Sequence, residues 1–327
     1  MFLEQTNDGN NDTGRWFAMI IVLLIVILLF GGIPLQLVIS ARMSENPALQ
    51  PNPENLLDLQ AYDIGPITGF ILVMIPFVLG LVALLLMIKP IHQRPRLSVI
   101  TAHARFRWKK FFWGAKVWLI LIAVFSLITT ITGFQKVELQ FNPVTLIKLL
   151  GVSLVLIPLQ AGFEEVLFRG YLMQGFSRLF KYKWLTLLVT SLIFGALHFF
   201  NPDVKESAAW IMLPQYILIG LVFGVCTIMD EGIELAWGMH AINSIFLTVF
   251  ITQDSSALPT PALFRITEFN PLFDLIALFA GLVLFILIAQ RKLQWPEWKY
   301  LLNRVEYPAS RENIASDYLE DEYEEDD

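Results

Sequence analysis

Long apolar runs separated by short polar segments dominate this chain. About 20 consecutive apolar residues are enough for one helix to cross the hydrocarbon core of a bilayer. The pattern therefore predicts an all-α fold, a polytopic transmembrane helical bundle of about eight spans. The runs lie at roughly 16–39, 65–88, 117–134, 147–177, 184–200, 208–229, 233–252 and 272–290.

The composition agrees with a membrane protein that has no separate soluble core. Hydrophobic residues make up 56% of the chain and charged residues 16%. The leader is acidic and lacks the basic start of a secretory signal, so the first run is predicted to be a retained helix. We divide the chain into a leader (1–15), N-terminal transmembrane helices with a basic interfacial loop at 89–116 (16–144), a core (145–252), a last loop with the final helix and a juxtamembrane segment (253–305), and an acidic tail predicted to be disordered (306–327).

Basic residues are concentrated in alternate loops. Positive charge in short loops favours the cytoplasmic side of a membrane. The pattern therefore predicts a multi-pass protein of the cell membrane with both termini in the cytoplasm. The clusters are Lys89, Arg94, Arg96, Arg105, Arg107, Lys109, Lys110 and Lys116, then Arg178, Lys181 and Lys183, then Arg291 and Lys292.

Two charged segments lie next to the ends of apolar runs. Residues 104–113 alternate basic and aromatic side chains, which suits the headgroup layer of an anionic bilayer. Asp230, Glu231 and Glu234 occupy the turn between the sixth and seventh runs and are predicted to be solvated. The formal net charge of −6 owes much to the acidic tail and argues against nucleic-acid binding. The lipid bilayer is therefore the predicted partner.

Three ionisable side chains lie within six positions of the fourth run: Glu164, Glu165 and Arg169. Charges at membrane depth are costly, and each one is by default a candidate functional residue. Glu165 and Arg169 are four residues apart, so they share a helix face and can pair. Glu164 lies about 100° round the helix axis. The spacing predicts a structural ion pair beside a freer carboxylate, although an interfacial helix whose charges reach water is the alternative.

Two of the four histidines lie in predicted spans. His198 follows Phe194 by four residues, so the phenyl ring can pack over the imidazole. His240 shares a helix face with Asn243 and Ser244, which could orient the imidazole or present a second donor. A single buried histidine is more often a hydrogen-bonded structural residue than a catalyst. Two of them, together with a membrane Glu pair, favour catalysis.

These residues resemble the CPBP family, which comprises CAAX-type prenyl-protein endopeptidases and bacterial Abi proteins, including bacteriocin self-immunity members. The shared motifs are Glu164-Glu165-x-x-x-Arg169, Phe194-x-x-x-His198 and a final His240 with a nearby Asn, all within about residues 145–250. The family usually has Asn or Asp four residues after the last His, where this chain has Ser244, with Asn243 at three. The resemblance implies an intramembrane endopeptidase whose catalytic core is 145–252 and whose substrate is membrane-embedded or lipidated.

Two mechanisms fit these residues. In the first, Glu164 activates a water, His198 holds or polarises it, and His240 with Asn243 or Ser244 stabilises the oxyanion, while Glu165 and Arg169 form the structural pair. That mechanism requires no cofactor. In the second, two His and one Glu ligate a divalent metal such as zinc and leave one position open for water. The sequence leaves both mechanisms open.

A non-catalytic role is a further alternative. The protein could be a membrane scaffold or a bacteriocin-immunity protein. It could also be a proton-coupled transporter, because chains of intramembrane Glu and His carry protons. The transporter is less favoured, since the two halves of the chain show no convincing similarity of the kind found in inverted-repeat transporters.

Overall fold

Helices account for most of the regular structure, as the apolar runs predict. The computed structural model describes residues 1–49, 58–202, 204, 209–253, 256 and 259–307. The eight longest helices of the described residues are α1 (Thr13–Glu45), α2 (Pro66–His92), α3 (Trp108–Ile131), α4 (Pro143–Phe180), α5 (Lys183–Leu197), α6 (Ala209–Asp230), α7 (Glu234–Val249) and α8 (Pro271–Leu293). Short 3₁₀ turns lie at Leu3–Asn7, Leu59–Tyr62, Arg96–Val99 and Trp298–Leu302. The prediction of an all-α polytopic bundle is confirmed. The predicted disorder of the acidic tail stays a prediction, because the tail lies outside the described residues from 308 onward.

Six of these helices are long and apolar enough to cross a membrane, by length and composition. The other two, α5 and α7, have 15 and 16 residues. At a rise of 1.5 Å per residue they are about 23 Å long, shorter than the hydrocarbon core of about 30 Å. The eight apolar runs thus correspond to eight helices, of which six have full spanning length. A candidate histidine lies on or next to each short helix, since His240 lies on α7 and His198 directly follows α5.

A small three-stranded sheet joins loops that the sequence pattern does not distinguish from turns. Its strands are β1 (Lys136–Leu139), β2 (Ile251–Thr252) and β3 (Phe264–Glu268). The order is β1-β3-β2, with β1 antiparallel and β2 parallel to β3. Strands of two to five residues are too short for the alternation that identifies a strand. The sheet ties the end of α7 to the segments that follow α3 and precede α8.

Helix α7 packs against α3, α4 and α6 and therefore lies among the elements that carry most of the candidate residues. One apolar cluster joins α7 to α2 and α4 and includes Met74, Ile157 and Val249. Another joins α7 to α3, α6 and α8 and includes Met239 and Phe285. Because α7 is held from several sides, the position of His240 depends on packing across the bundle.

Two glycines let α3 and α7 approach closely. A Cβ atom on Gly238 would lie 2.0 Å from the carbonyl oxygen of Phe111, and one on Gly114 would lie 2.6 Å from the carbonyl oxygen of Leu235. Small residues at helix contacts allow the backbones to come together in this way. The contact of α3 with α7 therefore depends on the absence of a side chain at both positions.

We expect Gly238→Ala to destabilise the protein. The added methyl group collides with backbone rather than with a flexible side chain, so α3 and α7 must move apart, at a cost of about 1–3 kcal/mol. Thermal unfolding in detergent measures the effect. Gly151→Ala is the matched control, because Gly151 is also helical and a Cβ there meets nothing within 4 Å. An equal response of the two variants would contradict the close-approach argument.

The turn between α6 and α7 is buried, which corrects the prediction that its acids are solvated. Arg107 lies 2.9 Å from Asp230 and 2.6 Å from Glu234, and Lys110 lies 2.7 Å from Asp230. Glu231 is half-buried and accepts a hydrogen bond from the Tyr300 hydroxyl. Burial lowers the pKa of the Arg107 guanidinium, but the pairs with Glu234 and Asp230 outweigh it and raise that pKa above its ordinary value. Part of the predicted interfacial loop is thus anchored to the start of α7.

Candidate active site

The buried charge of the site is an ion pair within α4. Arg169 Nη1 donates to Glu165 Oε1 at 2.9 Å, the pair that their spacing predicts, and the two side chains are 2% and 0% exposed. A π-helical turn at Val166–Leu172 follows Glu165 directly and contains Arg169. Such wide turns within α-helices occur frequently at functional sites.

The Arg169 guanidinium is held on its other sides by aromatic rings and backbone. It lies 4.3 Å from the ring centroid of Phe194 and 5.2 Å from that of Phe223. Its Nη2 donates to the Gly220 carbonyl at 3.4 Å. Cation–π contacts of this kind strengthen when the cation is withdrawn from water. Arg169 therefore connects α4 to α5 and α6.

His240 of α7 joins the same ion pair. Its Nδ1 donates to Glu165 Oε1 at 2.7 Å, and its Nε2 lies 3.8 Å from Glu164 Oε2. A carboxylate accepts hydrogen bonds, so the contact with Glu165 fixes a proton on Nδ1 and turns Nε2 toward Glu164. The sequence predicts that Glu165 contacts Arg169 or another helix, but it does not identify His240, 75 positions away, as the partner.

Glu164 is the more accessible of the two adjacent carboxylates. Its side chain is 14% exposed, whereas that of Glu165 is fully buried. The Gln160 amide, one helical turn earlier, donates to Glu164 Oε1. The structure therefore separates a carboxylate held by two partners from one that is open on one side, as the helical spacing indicates.

His198 lies beside this group and is connected to it through Phe194. Its Nδ1 donates to the Phe194 carbonyl at 2.7 Å, because a carbonyl can only accept. The imidazole stacks on Tyr216 with centroids 4.1 Å apart and planes inclined by 20°. The Phe194 ring lies 4.7 Å from the imidazole of His198 and 6.4 Å from that of His240. The Tyr216 contact, made from α6, was not anticipated from the sequence.

Asn243 is fixed by a tryptophan from outside the predicted core. The indole Nε1 of Trp118 on α3 donates to Asn243 Oδ1 at 3.0 Å. An indole N–H is a donor only, so the amide oxygen must face Trp118 and the amide NH₂ is the end left to donate elsewhere. Ser244 is half-buried and lies one residue further along α7.

A three-ligand metal site is not preformed among the described side chains. Among the described residues, no group of three His, Cys, Asp or Glu is placed to hold a metal ion. Nδ1 of His240 is bound to Glu165 and Nδ1 of His198 to Phe194, which leaves Nε2 of each imidazole as the nitrogen that could ligate a metal, as in many metal-binding histidines. The metal-dependent mechanism would require Glu164, His198 and His240 to come together around one metal ion, and it stays an alternative to the metal-free one.

Residues 145–246 match the family model described as Type II CAAX prenyl endopeptidase Rce1-like. The chain is also 30% identical over 270 residues to the uncharacterized protein YyaK of Bacillus subtilis (strain 168), over 82% of this chain and 88% of YyaK. The chain belongs to the Rce1-like family. No solved structure matches it. The family indicated by the motifs is thereby confirmed, and membership indicates a CAAX-type protease in general terms.

The Rce1-like region contains all of the candidate residues from Glu164 to Asn243. Trp118 precedes it, and so do Arg107 and Lys110. YyaK is uncharacterized, so that relative assigns no role to any residue. The roles of the individual side chains in this Rce1-like protein must therefore be argued from their geometry.

Proposed function

We propose that this chain is an intramembrane endopeptidase that hydrolyses a peptide bond in a membrane-embedded or lipidated peptide. The observation that supports it best is the different environment of two neighbouring carboxylates. Glu165 is buried and bound by Arg169 and His240, whereas Glu164 is partly exposed and faces Nε2 of His240. One carboxylate is thus structural and the other is available to a substrate or a water.

In the proposed reaction, Glu164 removes a proton from a water, which attacks the carbonyl carbon of the substrate. His198, held by Phe194 and Tyr216, orients that water through Nε2. When His240 carries a proton on both nitrogens, Nε2 donates to the oxyanion while Nδ1 stays bound to Glu165. The protonated Glu164 then returns its proton to the leaving amine as the intermediate collapses.

The direct test is cleavage by the purified protein in detergent. A panel of prenylated, unprenylated and membrane-embedded peptides is incubated with it, and products are identified by mass spectrometry. We expect at least one peptide to be cleaved, and a metal chelator series to leave the rate unchanged, because the proposed steps use no metal. Loss of activity on chelation that returns with added zinc would replace the water mechanism by the metal-dependent one.

Asn243 is proposed as the second oxyanion donor, with Trp118 as the residue that orients it. Asn243→Ala should lower kcat roughly 10²–10³-fold, the typical loss for one such donor, while Ser244→Ala should leave kcat nearly unchanged. Trp118→Phe removes the indole N–H but keeps an aromatic ring, so kcat should fall with little change in KM. The reverse ranking of Asn243 and Ser244 in steady-state assays would assign the role to Ser244.

We also propose that both termini lie in the cytoplasm. The three basic segments lie at one end of the bundle. Ala102 N–H donates to the Glu231 carbonyl, and the Glu231 carboxylate accepts from the Tyr300 hydroxyl, shortly after the last basic segment. Lys183 N–H donates to the Asn303 carbonyl, and Val305 N–H to the Lys181 carbonyl. Positive charge gathered at one end favours the cytoplasmic side. Reporter fusions at residue 100 and at the C-terminus should both report cytoplasm, and one near residue 260 should report the outside. Disagreement between the first two would overturn this orientation.

A further inference from the structure

The first turns of α3 and the residues just before it present two faces. One face consists of positions 107, 110, 111, 114 and 118, spaced three or four residues apart, and it is turned toward α7. There Arg107 and Lys110 pair with Asp230 and Glu234, and Trp118 bonds to Asn243. The basic and aromatic side chains of this face are thus used in contacts inside the protein.

The opposite face consists of Arg105, Trp108, Lys109, Phe112 and Lys116, which we call the outward patch. All five side chains are exposed, with Trp108 at 60% and Phe112 at 61%. No ion pair joins its three basic residues to any described residue. The sequence contains no Asp or Glu from residue 64 to residue 137, so the segment supplies no acid of its own. The outward patch is therefore an uncompensated positive surface with large aromatic side chains.

We propose that the outward patch binds the headgroups of anionic lipids in the bilayer. Trp108 begins a helix that is long and apolar enough to span the membrane, so the patch lies where that helix enters the lipid. Aromatic side chains favour the headgroup level. Basic side chains there attract anionic lipids within about one Debye length of the surface, roughly 8 Å at physiological salt. Helical spacing groups the residues into two faces, and the contacts of Arg107 and Lys110 identify which face points outward.

This binding has a consequence for the proposed active site, and that part of the inference rests on the proposed function. The same turns of α3 that carry the outward patch contact α7 through Gly238 and hold Asn243 through Trp118. Lipid bound outside would hold α3 at the bilayer surface and against α7, the helix that carries His240. We therefore expect anionic lipid to raise the cleavage rate.

Lipid retention tests the binding without requiring any activity. The protein is purified from mixed phosphatidylglycerol and phosphatidylcholine micelles, and the retained lipids are counted by native mass spectrometry. We expect preferential retention of phosphatidylglycerol, and at least a ten-fold loss of that preference in the triple variant Arg105→Gln, Lys109→Gln, Lys116→Gln. The control variant Lys89→Gln, Arg291→Gln, Lys292→Gln removes the same charge from other exposed positions, at the ends of α2 and α8, and should behave like wild type.

Equal loss of preference in the two triple variants would show a general charge effect and overturn the proposal. Full retention of phosphatidylglycerol in the patch variant would overturn it as well.

A second experiment compares peptide cleavage in nanodiscs with and without phosphatidylglycerol. Wild type should be several-fold faster with the anionic lipid, and the patch variant should not respond. If no peptide is cleaved under any condition, the proposed function fails while the retention result still decides the lipid site.

Discussion

Replacing Glu164 with Ala should abolish peptide cleavage while the protein stays folded. General-base catalysis alone accounts for roughly 10²–10⁴-fold in rate, and the variant also loses the group that returns the proton. Folding should survive, because the buried network of Glu165, Arg169 and His240 does not depend on Glu164 for its closest hydrogen bonds. Initial rates on the best peptide, with thermal unfolding in parallel, measure both effects.

Glu164→Gln is the sharper variant, since it keeps the shape of the side chain and removes only its basicity. It should be as inactive as Glu164→Ala. His198→Ala should be nearly as damaging, because residues that act as a unit show strongly non-additive losses. If Glu164→Ala kept full activity in the assay and full function in cells, a scaffold or immunity role would replace the protease. Retained function with altered proton coupling would instead indicate a transporter.

Replacing Arg169 with Met should strongly destabilise the protein. The change removes the guanidinium from Glu165, whose side chain is fully buried and keeps only the hydrogen bond from His240. Removing one partner of a buried ion pair costs about 3–5 kcal/mol, because the other charge is left uncompensated. Met keeps most of the side-chain volume, so the loss reports the charge rather than a cavity. Unfolding in detergent, followed by circular dichroism, measures the change in free energy.

Two controls separate this effect from a general effect of ion pairs. Adding Glu165→Gln to Arg169→Met removes the stranded charge, so the double variant should be more stable than the single one. Lys136→Met breaks the exposed pair with Glu268 between β1 and β3, and exposed pairs contribute about 0–1 kcal/mol. If Arg169→Met were as stable as wild type, the buried pair would not be structural.

The helices could be predicted because an apolar run is a local property of the chain. Each of the eight runs corresponds to a helix, and the spacing of Glu165 and Arg169 was enough to pair them. The acidic turn was misjudged because its cations, Arg107 and Lys110, lie more than a hundred residues earlier in the chain. Contacts between residues so far apart in the chain leave no periodic pattern in the sequence.

The candidate site shows the same division between local and distant contacts. The Gln160 amide donates to Glu164, four residues later. The same i, i+4 spacing that pairs Glu165 with Arg169 could have identified this contact from the sequence. The bond from His240 to Glu165 and that from Trp118 to Asn243 each join separate helices. They depend on how α7 packs, and one sequence carries no direct record of that packing.

The π-helical turn at Val166–Leu172 lets the parts of α4 before and after it face different neighbours. A π-helical turn takes up more residues than an α-helical turn. It therefore changes the direction in which each later side chain of α4 points around the helix axis. Upstream, the helix presents Glu164 and Glu165 to α7. Downstream, it presents Gln174 to the carbonyl groups of Phe2 and Ser98. Deleting one residue within the turn would restore a regular helix and force these two sets of contacts to compete for a single rotation of α4.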